Sequence, residues 1–243
     1  MRKNVIWIVV GALAVAVFSL GGAWLIMGQT GLADFAVALT KARLPACGVA
    51  LAGHSASREL TWNAGETAST DLPATVRYSP HNGAAVTVTG DAALLSHVHI
   101  VEEGQIELDC RQGRFGDARF DITLPGRHFK SFNMAGYTQL ILSDIDQDEL
   151  HMNIAGNSTV EAAGKVESVH VNGAGLSNAN LRALETDDAH LNLAGASKVQ
   201  VSAAENVMLN AVGAATLTLA REPRNLQTHA VGAVQVIHSG EER

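Results

Sequence analysis

The sequence predicts an all-β protein: a parallel β-helix with a strand-rich N-terminal module, preceded by one transmembrane helix. Glycines recur at an interval of about 19 residues in the C-terminal half, apolar residues alternate with polar ones around them, and an apolar stretch opens the chain. A fixed interval of this size is typical of repeat architectures, and period-two alternation is typical of half-buried strands. The predicted segments are an anchor (1–29), a connector (30–56), a strand-rich module (57–126), the repeats (127–238) and a tail (239–243).

The N-terminal stretch 5–27 contains no charged residue. As a helix it would be about 34 Å long, enough to cross a hydrocarbon core of about 30 Å. Arg2 and Lys3 precede it, and Trp7 and Trp24 lie near its ends, as in a span with a cytoplasmic N-terminus. We therefore expect a single-pass protein of the bacterial inner membrane, with its C-terminal domain in the periplasm.

A cleaved signal peptide is the alternative for this stretch. Residues 21–23, Gly-Gly-Ala, would form an acceptable cleavage site, but the apolar run continues to Met27. The apolar region of a signal peptide is usually about 7–15 residues long, so the length favours an uncleaved anchor. Both interpretations export the rest of the chain, where Cys47 and Cys110 could form one disulfide. The sequence leaves this pairing open.

The exported part of the chain is acidic. The whole chain has a net charge of −7 and residues 1–29 contribute +2 through Arg2 and Lys3, so the remainder carries −9. Neutralising the phosphates of a nucleic acid requires clustered Lys and Arg side chains. The charge balance therefore argues against a nucleic acid as partner.

The module over 57–126 shows short segments with strand-like alternation. We expect strands at 75–79, 85–89, 97–101, 105–110 and 120–124. Asn82-Gly83 stands between the first two and Glu102-Glu103-Gly104 between the next two, and both are typical of hairpin turns.

The repeats align on six glycines, each expected at a tight bend where a side chain would be unfavourable. These structural turn glycines are Gly136, Gly156, Gly175, Gly195, Gly213 and Gly232. Positions six and four before the glycine, and four and six after it, are mostly apolar, which predicts two strands with a common buried face. One repeat cannot bury that face alone, so successive repeats should stack about 4.8 Å apart. The column three before the glycine should then form an amide ladder; it contains Asn133, Asn153, Asn172, Asn192 and Asn210.

Three of these repeats resemble a known family. Residues 153–158 (Asn-Ile-Ala-Gly-Asn-Ser), 172–177 and 192–197 are similar to the Ser-Gly-Ala-Gly-type repeats of the GIN domain, also called the putative auto-transporter adhesin head domain. Residues 86–90 and 104–108 are similar to the first strands of that family, so the resemblance covers about 57–238. It implies a right-handed parallel β-helix in an exported, often membrane-anchored bacterial protein, and it supplies no catalytic residues.

His151, His170 and His190 share the position five before the glycine and should stack on one outward face. Such a column could bind Zn²⁺ or sense pH. Stacking places the imidazoles in a line, however, whereas zinc prefers a tetrahedron. We therefore expect a solvated polar ladder that offers a binding face, with no metal and no cofactor.

Two further groups are weaker candidates for chemistry. His97 and His99 lie on one side of a predicted strand, but the sequence identifies no third ligand. The run from Asp144 begins like a calcium loop and fails, because Glu149 stands where glycine is required and Ala155 where glutamate is required. The same corner of later repeats is acidic. Such an edge could collect divalent cations weakly or meet a basic partner, but we expect a solvated edge there. That edge contains Glu167, Glu185, Asp187, Asp188 and Glu205.

These features predict a non-enzymatic, membrane-anchored, adhesin-like binding module of the cell envelope. Its partner would be an envelope protein or a polysaccharide that the sequence does not identify, and its oligomeric state is open. A self-assembling scaffold, stacking end to end through open strand edges, is the first alternative. A polysaccharide-active enzyme is the second. It is less favoured because aromatic residues, the usual sugar platforms, are only 5% of the chain.

Overall fold

Ten strands and one short helix make up residues 47–101, 103–110 and 118–239, the part of the chain that the computed structural model describes. The elements, in chain order, are β1 (Ser55–Thr61), β2 (Thr67–Thr70), β3 (Ala74–Tyr78), β4 (Ala85–Asp91), α1 (Ala92–Leu95), β5 (Val98–Ile100), β6 (Gln105–Leu108), β7 (Phe120–Thr123), β8 (Ser131–Met134), β9 (Thr138–Leu219) and β10 (Asn225–His238). Their alternating buried and exposed residues agree with the period of two in the sequence.

The strands form one mixed sheet in the order β1-β4-β7-β3-β9-β8-β2-β6-β5, and β10 pairs with β9. β4 runs antiparallel to both β1 and β7, and β5 runs antiparallel to β6. The prediction of a right-handed parallel β-helix is therefore wrong, and the observed class is an all-β fold built on a mixed sheet. The error arose because the repeat interval describes only the C-terminal half. The module over 57–126 adds strands, several of them antiparallel, to the same sheet.

The predicted transmembrane helix is not among these elements. In the part of the chain that the structure describes, no helix is long and apolar enough to cross a membrane. The segment 1–29, which carries this prediction, lies outside the described residues, as does most of the predicted connector.

The N-terminal module contains the predicted strands but only one of the two predicted hairpins. β5 and β6 pair antiparallel, with Val98 opposite Leu108, so this hairpin is confirmed. β3 and β4 do not pair, because β7 lies between them and bonds to both. The Asn82-Gly83 loop instead contacts the segment after β7, where Asn82 Nδ2 donates to the carbonyl of Leu124 at 2.9 Å.

The long element β9 folds back over itself once per repeat. A Cβ added to Gly175 would lie 2.6 Å from the carbonyl oxygen of Gly156, and one added to Gly195 would lie 2.5 Å from that of Gly175. Successive glycines therefore stack backbone to backbone. β10 continues this register, pairing in parallel with the end of β9 from Asn225 opposite Asn206 to His238 opposite Leu219.

The hydrophobic core is continuous from the N-terminal module through the repeats. Aliphatic columns fill the repeats, for example Leu150, Val169 and Val207, each at most 1% exposed. The large aromatic rings lie beneath the N-terminal strands, where Phe129 makes edge-to-face contacts with Trp62 at 5.0 Å and Tyr78 at 5.3 Å. The aromatic-packed part of the core is thus distinct from the aliphatic part under the repeats.

Cys47 and Cys110 are joined by a disulfide. Their Cα atoms are 4.8 Å apart, within the usual range for this bond. Both cysteines are buried against the core, and the crosslink closes a loop with a sequence separation of 63 residues. It ties the segment before β1 to the end of β6.

Candidate functional site

Three imidazoles stack on the outer face of β9. His151 and His170 have ring centroids 4.7 Å apart with an interplanar angle of 17°, and His170 and His190 are 4.7 Å apart at 11°. This distance equals the separation of neighbouring strands in a sheet, so the stack follows from the register of the repeats. Each histidine stands between two buried residues of its strand, which directs the ring outwards.

An asparagine ladder runs beside the histidines and fixes their spacing. Each side-chain amide donates to the carboxamide oxygen one repeat earlier. The bonds are Asn153 to Asn133 (2.7 Å), Asn172 to Asn153 (2.7 Å), Asn192 to Asn172 (2.8 Å) and Asn210 to Asn192 (2.8 Å). Asn133 donates in turn to Ser69 Oγ on β2 at 3.1 Å, which connects the ladder to the N-terminal module. All five asparagines that the sequence singled out belong to this one column.

Glu149 joins the histidine stack, a contact that the sequence analysis missed. Its Oε1 lies 3.1 Å from Nε2 of His151 and 3.4 Å from Nε2 of His170. The signal was available: residues two apart in a strand project from the same face, and Glu149 stands two before His151. The interpretation of residues 144–155 as a failed calcium loop concealed this relationship.

The stack changes the acidity of its central ring. Burial is the main cause that lowers the pKa of His170 below its usual value, and the neighbouring His151 and His190 lower it further, while Glu149 opposes them. A charged imidazolium between two other imidazoles is unfavourable because like charges repel. These interactions therefore favour the neutral form of the central ring over its charged form.

A family of known domains matches the part of the chain that contains this face. The family described as "Putative auto-transporter adhesin, head GIN domain" matches residues 77–223, more than half of the chain. The chain belongs to the GIN-domain family. The resemblance drawn from the repeats is thereby confirmed, and the matched residues of the GIN domain include the whole histidine stack and Glu149.

Two crystal structures of putative adhesins are similar to the chain. A crystal structure of a putative adhesin from Bacteroides fragilis is 13% identical, covers 79% of this chain and 100% of its own, and has a TM-score of 0.54. A putative adhesin from Parabacteroides merdae is 15% identical, covers 78% of this chain and 98% of its own, and has a TM-score of 0.47. At such identities the likeness concerns the fold alone. No curated protein matches the chain.

A second histidine cluster of this GIN domain lies on the β5–β6 hairpin. Asp109 accepts contacts from His97 Nδ1 at 2.8 Å and His99 Nε2 at 3.1 Å, so it supplies the third group that the sequence did not identify. These hydrogen bonds lower the pKa of Asp109 below its usual value, with the bond from His97 as the largest cause. Cys110 lies close to this pair, but its sulfur is bonded to Cys47 and is not a thiolate ligand.

Two residues of the acidic edge predicted from the sequence have side-chain partners. Glu205 pairs with Arg224 at 3.0 Å, and Asp188 accepts a hydrogen bond of 2.6 Å from Asn206 Nδ2. Asn225 donates in turn to Asn206 at 2.9 Å, which makes a short second ladder that sequence alignment did not reveal. Glu167, Glu185 and Asp187 are exposed, in agreement with a solvated edge.

Proposed function

We propose that this GIN domain is a non-enzymatic, adhesin-like binding module of the bacterial cell envelope, and that its histidine face is the binding surface. The observation that carries the proposal is the stack of His151, His170 and His190. These rings are outward-facing, spaced at 4.7 Å and held by the asparagine ladder. A rigid row of amphipathic rings offers contact area at little cost in conformational entropy.

We further propose that the chain is attached to the inner membrane and faces the periplasm. The uncharged stretch 5–27 after Arg2 and Lys3 supports the attachment and its orientation. The Cys47–Cys110 disulfide supports an oxidising compartment, because such bonds are rare in the bacterial cytosol. Labelling of intact spheroplasts with a membrane-impermeant amine reagent tests this orientation, because the reagent should reach the C-terminal domain. Labelling only after lysis would contradict it.

Capture from envelope extract tests the binding function. The full chain, purified in mild detergent and immobilised, is compared with a triple His151→Gln, His170→Gln, His190→Gln variant. A double Glu185→Gln, Asp187→Asn variant on the exposed acidic edge serves as the matched control. We expect an envelope protein or polysaccharide to be retained by the wild type and the control and lost by the triple variant. Equal capture by all three chains would move the binding surface elsewhere.

Self-assembly is a second candidate function, favoured by the last strand. β10 pairs with β9 on one side, and its apolar residues are partly uncovered, with Leu226 39% and Ile237 38% exposed. In the preceding repeat the residue equivalent to Leu226 is Val207, which is 1% exposed. Sedimentation of the full chain tests this function. A rise in mass with concentration that Leu226→Lys abolishes would support it, and a constant monomer mass would contradict it.

A further inference from the structure

Glu149, His151 and His170 bring three potential metal-binding atoms close together. One carboxylate oxygen of Glu149 and one nitrogen of each ring all lie within 4.8 Å of one another. The Glu149 side chain is 51% exposed and the two histidine side chains are 38% and 30% exposed, so an ion can reach them. The three groups come from two adjacent repeats, whose register the asparagine ladder fixes.

We propose that these three side chains bind a divalent transition metal ion of the zinc class. In a tetrahedral site with bonds of about 2.0–2.1 Å, neighbouring ligand atoms are separated by about 3.3 Å. The observed separations from Glu149 Oε1 are 3.1 Å to His151 Nε2 and 3.4 Å to His170 Nε2. Two imidazoles and one carboxylate form a common ligand set for zinc, with water in the remaining position.

The ligand chemistry narrows the choice of ion. Calcium and magnesium prefer an all-oxygen shell, which two imidazole nitrogens do not provide. Imidazole suits zinc, copper and nickel, and a carboxylate is compatible with each of them. The site therefore selects against the abundant alkaline-earth ions and in favour of later first-row metals.

Glu149 adds a ligand from outside the row of stacked imidazoles, and the two nearly parallel rings need only turn towards it for both Nε2 lone pairs to meet one ion. The carboxylate approaches both rings from outside the stack, because it contacts Nε2 of His151 and Nε2 of His170 with the same oxygen. His190 stacks on the far side of His170 and is not one of the three ligands. The site is thus centred on Glu149 and the first two rings, not on the column as a whole.

Calorimetry with the metal alone tests the inference independently of any envelope partner. The full chain in detergent is stripped with EDTA, exchanged into chelator-free buffer and titrated with ZnCl₂. We expect one ion per chain, and an affinity at least about tenfold lower in Glu149→Gln and in His170→Gln. Loss of a residue that only hydrogen-bonds to a metal ligand already lowers metal affinity by about 10–100-fold, so loss of a ligand itself should lower it at least as much. Glu185→Gln on the exposed acidic edge is the matched control and should retain the wild-type affinity to well within tenfold. No heat of binding to the wild type, or unchanged binding to Glu149→Gln, would overturn the proposal.

The imidazole nitrogen resonances provide a second readout that a structural role would not change. We expect ¹⁵N shifts of metal coordination at Nε2 of His151 and His170 and none at His190. Coordination signals on all three rings would overturn the assignment to Glu149. An unchanged unfolding temperature of the metal-free variants shows that they are folded. Because this experiment contains no partner, failure of metal binding leaves the capture result intact, and failure of capture leaves metal binding intact.

Discussion

The side-chain amide of Asn172 donates a hydrogen bond of 2.7 Å to Oδ1 of Asn153, one repeat earlier in the chain. Asn172 also accepts a bond of 2.8 Å from Asn192, so it is an interior rung of the ladder. Replacing it with alanine removes both bonds and leaves the Asn192 amide without its acceptor. We expect Asn172→Ala to lower the free energy of unfolding by about 1–3 kcal/mol, measured by urea denaturation.

Asn210 provides the comparison for this prediction. It donates to Asn192 at 2.8 Å and is the last asparagine of the column, since His229 occupies the equivalent position on β10. Asn210→Ala should therefore cost less than Asn172→Ala, about 1 kcal/mol. Equal losses at the two positions would show that the ladder bonds do not determine stability.

The stacked glycines predict that adding a single methyl group at Gly175 destabilises the protein. Gly175 has φ of 102°, and a Cβ there would lie 2.6 Å from the carbonyl oxygen of Gly156. Strain in this backbone region costs about 1–3 kcal/mol, and the contact with Gly156 adds to it. We expect Gly175→Ala to lower the thermal unfolding midpoint by several degrees, whereas Gly83→Ala, where a Cβ meets open space, should leave it nearly unchanged. A neutral Gly175→Ala would mean that the repeats can separate at this bend.

Removing the disulfide should lower the free energy of unfolding while leaving the protein folded. For a loop with a separation of 63 residues, chain-entropy arguments give a stabilisation of about 4 kcal/mol. We expect the double variant Cys47→Ser, Cys110→Ser to be less stable in urea by about 2–4 kcal/mol. Wild-type protein with dithiothreitol should match the variant. A wild type that is insensitive to the reductant would show that the crosslink does not constrain the unfolded chain.

The histidine stack predicts a pH dependence of stability. The pKa of His170 is lowered from 6.5, mainly by burial and then by His151 and His190. The unfolded chain therefore binds more protons than the folded chain below about pH 6.5, so the stability contributed by this group is complete above that pH and declines as the pH falls towards the folded pKa. In EDTA, the unfolding temperature should decrease from pH 7.5 to pH 5.5. His170→Gln should make this decrease smaller, and an unchanged slope would contradict the assignment to His170.

The sequence predicted the short-range features of the fold and not the arrangement of the N-terminal strands. Glycine spacing and period-two alternation identify the columns, because residues such as Asn153 and Asn172 recur at the same position of each repeat. The order of the strands in residues 57–126 depends on which strand pairs with each open strand edge, and that partner can be distant in sequence. β7 separates β3 from β4, and no local signal in the Asn82-Gly83 turn reveals that insertion.

The candidate site was predicted in part for a similar reason. The histidine column follows from the repeat, and the structure stacks His151, His170 and His190 as expected. The contact of Glu149 with two rings depends on side-chain reach across neighbouring repeats, which column alignment does not describe. Asp109 likewise meets His97 and His99 only because β5 and β6 pair in one particular register.

The backbone contact between consecutive glycines also limits how this molecule can vary in size. The intervals between successive turn glycines vary from 18 to 20 residues, yet the asparagine column stays in register, so the difference is taken up where the chain bends and not at the glycine contact. Inserting a complete repeat would preserve all columns and add one imidazole and one carboxamide position. The number of ligand positions along the outer face is therefore a whole number that changes in steps of about 4.8 Å.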